Sequence, residues 1–87
     1  MLKKIKYFYL EKCPYCHEAE AYLKELCSHY DEYKSIMIEK IEEQKNTDES
    51  NKHDYQYVPA FFIDDEKIHE GKVSKEICEE ILKSVLR

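Results

Sequence analysis

The stretch from Ile5 to Cys16 reads Ile-Lys-Tyr-Phe-Tyr-Leu-Glu-Lys-Cys-Pro-Tyr-Cys and decides the fold. Its first six residues are rich in β-branched and aromatic side chains, which predicts a central strand covered on both faces. Beyond Pro14, apolar residues recur at spacings of three and four, which predicts an amphipathic helix ending near His29. The stretch therefore predicts a strand that leads directly into a cysteine pair at the start of a helix.

The rest of the chain continues to alternate strands and helices. Residues 35–41 predict a second strand, parallel to the first because a helix connects them. Residues 42–56 are nearly all polar, so we expect any helix there to be short. Residues 60–63 and 67–69 predict an antiparallel hairpin, and Ser74 is a candidate N-cap for a final amphipathic helix. The sequence thus predicts one α/β domain spanning residues 1–87.

Composition and charge narrow the classes of function. The chain has 87 residues and a formal net charge of −5, with Lys and Arg interleaved among Asp and Glu, a pattern that argues against nucleic acid and membrane surfaces as partners. The first residues lack the apolar run of a signal peptide, so we expect a cytoplasmic monomer. In a reducing compartment, four cysteines favour catalysis or metal binding over structural disulfides.

The position of the cysteine pair predicts thiol chemistry. The first N–H groups of a helix are unpaired and its dipole is positive there, so a thiolate at Cys13 is stabilised. We expect Cys13 to be the attacking nucleophile and Cys16, one turn later, to be the resolving thiol. Pro14 stiffens the loop, and Lys12 adds a positive charge beside the nucleophile.

The Cys13-Pro14-Tyr15-Cys16 motif after the first strand and Tyr57-Val58-Pro59 before the third resemble the glutaredoxin branch of the thioredoxin-like family over nearly the whole chain. The resemblance implies a βαβαββα fold with a four-stranded mixed sheet in the order 2-1-3-4, flanked by helices. It also implies a cis peptide bond before Pro59 and a Val58 backbone that pairs with glutathione or a substrate. The binding residues that follow from the motif positions are Lys12, Pro14, Tyr15, Tyr57, Val58, Pro59, Gly71 and Ser74.

This resemblance implies a thiol–disulfide oxidoreductase that reduces protein disulfides or glutathione mixed disulfides, with glutathione as co-substrate and no tightly bound cofactor. Some positions depart from the glutaredoxin pattern. Leu10 stands where a lysine is usual, and the segment after Glu70 has one glycine in place of a Gly-Gly pair. An alternative is a thioredoxin-like electron carrier recycled by a flavoprotein reductase.

Two other functions compete with redox chemistry. Cys16 is followed by His17, which completes a pattern for covalent haem attachment with Met37 as a possible distal ligand. An iron–sulfur or zinc module could use the cysteine pair with one of the scattered histidines, His29, His53 or His69. Cys27 and Cys78 fall on apolar helix faces, so we expect them to be packing residues.

Overall fold

Four strands form one mixed sheet in the computed structural model, which describes residues 4–86. Along the chain the elements are β1 (Ile5–Tyr9), α1 (Pro14–His29), α2 (Asp31–Lys34), β2 (Ile38–Glu42), α3 (Thr47–Asn51), β3 (Ala60–Ile63), β4 (Glu66–Glu70) and α4 (Lys75–Leu86). The strand order is β2-β1-β3-β4, as predicted. The predicted first helix, third strand and final helix are all confirmed.

Strand β1 is central, with a parallel neighbour on one side and an antiparallel neighbour on the other. It pairs with β2 from Ile5 opposite Ile38, and with β3 in the opposite direction, so that Phe8 faces Ala60. Because β3 begins where β1 ends, Pro59 and the loop that carries Cys13 lie at the same edge of the sheet.

Hydrophobic clusters cover both faces of the sheet. The larger cluster joins β1 and β3 to α1 and α4 and includes Tyr7, Leu26, Phe61 and Leu82. The smaller cluster consists of Phe8, Ile41, Ala60 and Phe62, with Tyr55 packed against it. The predicted burial of β1 on both faces is confirmed.

The prediction of a second strand over residues 35–41 is wrong at both ends, because β2 runs from Ile38 to Glu42. A short helix that the sequence did not predict, α2, precedes it, and Ser35 caps that helix in a helical conformation. Ile36 is buried, but its N–H bonds to the Tyr33 carbonyl as part of a turn. The alternation of apolar residues that predicted the strand therefore includes Ile36, which is buried but belongs to the turn before β2.

The hairpin and the start of α4 follow the predicted chemistry. Asp64 and Asp65 have positive φ angles of 52° and 65° and form the turn, and β4 extends one residue beyond the predicted segment at each end. Gly71 follows with φ of +89°, a conformation that favours glycine. The Ser74 hydroxyl accepts a hydrogen bond from the Ile77 N–H at 3.2 Å, which confirms the N-cap.

Candidate active site

The two motif cysteines lie at the N-terminus of α1. Cys13 is the N-cap residue in an extended conformation, and Pro14 occupies the first helical turn. The Cys13 N–H closes a turn onto the Leu10 carbonyl at 3.1 Å, and the Cys13 carbonyl accepts from His17 at 3.1 Å to begin the helix. The turn and the helix together fix the backbone on both sides of Cys13.

The thiols of Cys13 and Cys16 lie one helical turn apart and differ in their surroundings. Cys13 is partly exposed, whereas Cys16 is fully buried. Burial raises the pKa of the Cys16 thiol to about 12, and the neighbouring Cys13 thiol adds to the rise, although hydrogen bonds from the Leu10 backbone and Tyr7 act against it. Cys13 is therefore the thiol of the pair that is accessible to solvent.

The peptide bond between Val58 and Pro59 is cis, as the resemblance implied. The Pro59 carbonyl accepts a hydrogen bond from the Gly71 N–H at 2.9 Å, which ties this turn to the end of the hairpin. Within residues 4–86, no hydrogen bond outside the helices and strands involves the Val58 backbone. The Val58 N–H and carbonyl thus have no backbone partner in that part of the chain.

Glu70 holds the segment that leads into this turn. One oxygen of its carboxylate accepts hydrogen bonds from the backbone N–H groups of Gln56, at 2.7 Å, and Tyr57, at 3.0 Å. The other accepts from Lys67 Nζ at 2.6 Å. The Lys67 hydrogen bond and then the two backbone donors lower the pKa of Glu70 to about 2. No local sequence pattern indicated this role of Glu70, because the backbone N–H groups that it accepts from lie in a different loop.

Two exposed aromatic side chains belong to the segments that carry the cysteine pair and the cis proline. Tyr15 is 48% exposed and Tyr57 is 64% exposed. The Lys72 Nζ atom lies 5.4 Å from the centre of the Tyr15 ring, in a cation–π contact. This contact brings a positive charge to the site that the sequence motif did not indicate.

A cavity of about 340 Å³ opens beside Cys13, and its lining includes Leu10, Lys12 and Gln44. Its floor is shaped by Glu42, a buried carboxylate that accepts hydrogen bonds from the backbone N–H groups of Glu11 at 3.2 Å and Gln44 at 2.6 Å. Burial alone would raise the pKa of Glu42, but these N–H donors and that of Lys45 hold it below its usual value. Glu42 thereby fixes the loop that precedes the nucleophile.

The remaining predicted binding residues, Lys12, Gly71 and Ser74, have different surroundings in the structure. Lys12 is exposed and lines the cavity beside Cys13. Gly71 lies close to Tyr57, since a Cβ atom placed on Gly71 would come within 3.9 Å of the Tyr57 Cβ. Ser74 lies further along the chain, and its hydroxyl is engaged as the cap of α4.

In the part of the chain that the structure describes, the residues of the haem and metal alternatives are not brought together. Met37 lies beside the start of β1, where its carbonyl accepts from Ile5 at 3.0 Å, whereas His17 lies beyond the opposite end of that strand. Met37 and His17 therefore cannot flank one haem. In the described part of the chain, no three His, Cys, Asp or Glu residues are grouped as metal ligands.

No helix among residues 4–86 is long and apolar enough to cross a membrane.

The remaining cysteines are packed into the core as predicted. Cys78 is fully buried, and burial raises its pKa to about 12. Cys27 is partly buried, and its thiol lies 3.7 Å from the Tyr33 carbonyl. Burial also raises the pKa of Cys27.

Comparison with known proteins gives the family. Residues 3–84 match the family model of the thioredoxin domain. The chain belongs to the thioredoxin domain family. No curated protein matches its sequence significantly. A thioredoxin-like domain in which two cysteines meet at a helix N-terminus indicates a thiol–disulfide oxidoreductase.

Solved structures share the fold of this thioredoxin-domain protein. An uncharacterised thioredoxin-like protein from Clostridium perfringens is 30% identical, with a TM-score of 0.68 over 97% of this chain and 71% of that one. A variant of thioredoxin from Halobacterium salinarum is 19% identical, with a TM-score of 0.72 over 98% of this chain and 75% of that one. A malarial protein, also 19% identical, has a TM-score of 0.76 over the full length of both chains.

Proposed function

We propose that this thioredoxin-domain protein reduces disulfides in proteins, and mixed disulfides with glutathione, by dithiol exchange through Cys13 and Cys16. The Cys13 thiolate attacks a substrate disulfide and forms a mixed disulfide, and one substrate thiolate leaves. Cys16 then attacks the Cys13 sulfur, which forms the Cys13–Cys16 disulfide and releases the second substrate thiol. The observation that carries the proposal is the placement of a partly exposed thiol at the N-terminus of α1 and of a buried thiol one turn later.

The surroundings of the pair suit an extended peptide-like substrate. The Val58 backbone offers an N–H and a carbonyl beside the cysteines, and Tyr15 and Tyr57 offer apolar faces with polar tips. Lys12, Pro14, Pro59 and Gly71 would complete this surface. Ser74 is a weaker candidate for ligand binding, because its hydroxyl already caps α4.

Two electron donors could return the oxidised protein to the dithiol. Glutathione is the donor implied by the Cys-Pro-Tyr-Cys motif, and it would act as a co-substrate with no tightly bound cofactor. A flavoprotein disulfide reductase is favoured by membership of the thioredoxin domain family and by the engaged Ser74 hydroxyl. Because the net charge is −5, we expect protein or peptide partners rather than nucleic acid or membrane. We also propose that the protein is a monomer that works in the cytoplasm.

Single-turnover reduction of the oxidised protein, followed by mass spectrometry, tests both the function and the donor. Glutathione and an NADPH-coupled thioredoxin reductase are supplied in separate reactions. A transient glutathione adduct on Cys13 followed by full reduction would identify a glutathione-dependent enzyme. Reduction only in the second reaction would identify a thioredoxin-like carrier. Failure to form a Cys13–Cys16 disulfide with any oxidant would contradict the proposed function.

A further inference from the structure

Two lysines at the cysteine motif lack a carboxylate partner, although the chain is acidic overall with a formal net charge of −5. Lys12 directly precedes Cys13, and Lys72 contacts the ring of Tyr15 between the two cysteines. Within residues 4–86, neither lysine forms an ion pair with a carboxylate. Most other lysines of that part of the chain do, namely Lys4, Lys6, Lys34, Lys40, Lys45, Lys67 and Lys75.

Lys72 is held beside the motif by hydrogen bonds of its own segment. The Gly71 N–H donates to the Pro59 carbonyl at 2.9 Å. The His69 ring donates through Nε2 to the Lys72 carbonyl at 3.1 Å. From this backbone, Lys72 Nζ reaches a point 5.4 Å from the centre of the Tyr15 ring. Lys72 therefore joins the segment after the hairpin to the first turn of α1.

The acidic side chains that lie next to these lysines in the chain are already paired. The Glu70 carboxylate pairs with Lys67 at 2.6 Å, and the Glu11 carboxylate pairs with Lys45 at 2.5 Å. Their negative charges are therefore compensated by other side chains of the protein. Among the described residues, the Lys72 ammonium has an aromatic ring as its side-chain partner, and a carboxylate is a stronger partner for an ammonium than a ring is.

We propose that the cysteine motif selects disulfides flanked by acidic side chains and that Lys72 determines this specificity, which rests on the proposed function. The substrate class is an extended protein segment with Asp or Glu beside its disulfide-bonded cysteine. The acidic side chain binds the Lys72 ammonium while the Cys13 thiolate attacks the neighbouring sulfur. A bond forms between these two sulfurs, the substrate disulfide breaks, and its other sulfur leaves as a thiolate with the electron pair. Lys12 adds a second positive charge beside the nucleophile.

The overall charge of the protein makes this inference easy to distinguish from a general electrostatic effect. A net charge of −5 repels acidic peptides and would slow their reaction. The local charges of Lys72 and Lys12 attract them and would speed it. The sign of the effect therefore shows which of the two dominates at Cys13.

Peptides of the form Gly-Xaa-Cys-Xaa-Gly, with Xaa as Asp, Asn or Lys and the cysteine disulfide-bonded to thionitrobenzoate, measure the preference. Attack on the peptide sulfur releases the coloured thionitrobenzoate anion, so stopped-flow absorbance gives a rate constant. Dividing it by the rate constant of the same peptide with mercaptoethanol removes the intrinsic effect of the flanking residues. We expect the Asp peptide to react at least about threefold faster than the Asn peptide at low salt, and the Lys peptide to react more slowly than both. The differences should shrink as salt screens the charges.

Variants of Lys72 assign the preference to one side chain. Lys72 is exposed, so we expect Lys72→Gln and Lys72→Glu to fold. The ratio of the Asp to the Asn rate constant should fall towards one in Lys72→Gln and below one in Lys72→Glu. This ratio cancels any change in the reactivity of the Cys13 thiolate. Lys24→Gln is the matched control, because Lys24 is exposed further along α1 and its loss changes the net charge equally; it should keep the wild-type ratio.

The outcomes separate this inference from the proposed function. A wild-type protein that reacts equally fast or more slowly with the Asp peptide would overturn the acidic preference and leave dithiol exchange intact. An unchanged ratio in Lys72→Gln, or an equal fall in Lys24→Gln, would overturn the assignment to Lys72. If the wild-type protein releases no thionitrobenzoate from any of the peptides, the proposed function itself fails.

Discussion

At the scale of single residues, the two cysteines of the motif have different environments that suit different steps. Cys13 is a partly exposed N-cap residue, whereas Cys16 is fully buried one turn later. Burial raises the pKa of Cys16 to about 12. Cys16 therefore stays protonated at neutral pH and does not compete with Cys13 for the substrate.

Glu70 supports the segment before the cis proline through its charge, and this support should depend on pH. Its folded pKa of about 2 lies below the ordinary value, so its contribution to stability is present at neutral pH and is lost as pH falls below about 4 towards 2. We expect Glu70→Gln to lower the Tm at pH 7. The difference in Tm from the wild type should shrink as the pH is lowered.

Thermal unfolding followed by circular dichroism across this pH range measures the effect of Glu70. Glu66→Gln, an exposed carboxylate at the other end of β4, is the matched control and should change the Tm little at any pH. A difference between Glu70→Gln and the wild type that stays constant from pH 7 to acid would show that the charge of Glu70 is not involved.

Some site residues could be predicted from the sequence and others could not. Cys13, Cys16 and the cis Pro59 are carried by short local motifs, so their positions follow from neighbouring residues. Glu42 and Glu70 act on backbone N–H groups up to 31 and 14 residues away. Lys72 resembled any other surface lysine in the sequence. Only the tertiary structure shows what these three side chains contact.

At the scale of elements, the two long helices begin in different ways. The Ser74 hydroxyl caps α4, whereas α1 begins at Cys13 with no hydrogen bond from the N-cap side chain in the described structure. The first N–H groups of α1 therefore remain available to a thiolate. A helix with a conventional cap would have used those donors for stability.

Removing the cap of α4 should destabilise the protein measurably. We expect Ser74→Ala to lower the free energy of unfolding by about 1 kcal/mol, because the partly buried N–H of Ile77 loses its acceptor. Urea denaturation measures this change. Ser84→Ala is the control, since the Ser84 hydroxyl only bonds back to the Glu80 carbonyl within α4, and it should change the free energy by less than about 0.5 kcal/mol. Equal losses in the two variants would contradict the capping role.

Gly71 should be sensitive to substitution through its backbone alone. Its φ is +89°, and the nearest atom to an added Cβ would be 3.9 Å away, an ordinary contact. Gly71→Ala should therefore cost about 1–2 kcal/mol from conformational strain. Gly71→Asn should cost less, because asparagine adopts positive φ more readily. Urea denaturation of both variants checks the order, and a larger loss in Gly71→Asn would contradict it.

Element boundaries were predictable where local chemistry marks them. Pro14, Pro59 and Ser74 each signal the start of a helix or strand, and those starts are confirmed. The start of β2 has no such signal. Its first residue is set by pairing with Ile5 across the sheet, an interaction that the local pattern around Ile36 and Met37 does not contain.

At the scale of the whole molecule, the sheet separates two cores and carries the active site at one edge. Leu82 lies in the larger core and is fully buried. We expect Leu82→Ala to lower the free energy of unfolding by about 2–5 kcal/mol through lost burial and a cavity. Lys83→Ala, exposed on the same helix, should change it by less than about 0.5 kcal/mol. Urea denaturation measures both, and a Leu82→Ala loss below about 1 kcal/mol would contradict this account of the core.

The central claim is that Cys13 alone attacks and Cys16 alone resolves. The most direct test is to react Cys16→Ser and Cys13→Ser separately with a disulfide substrate and to locate the adduct by peptide mass spectrometry. We expect Cys16→Ser to accumulate a stable mixed disulfide on Cys13, and Cys13→Ser to remain unmodified over the same time. Equal modification of Cys16 in Cys13→Ser, or an adduct on Cys27 or Cys78 in place of Cys13, would contradict the claim.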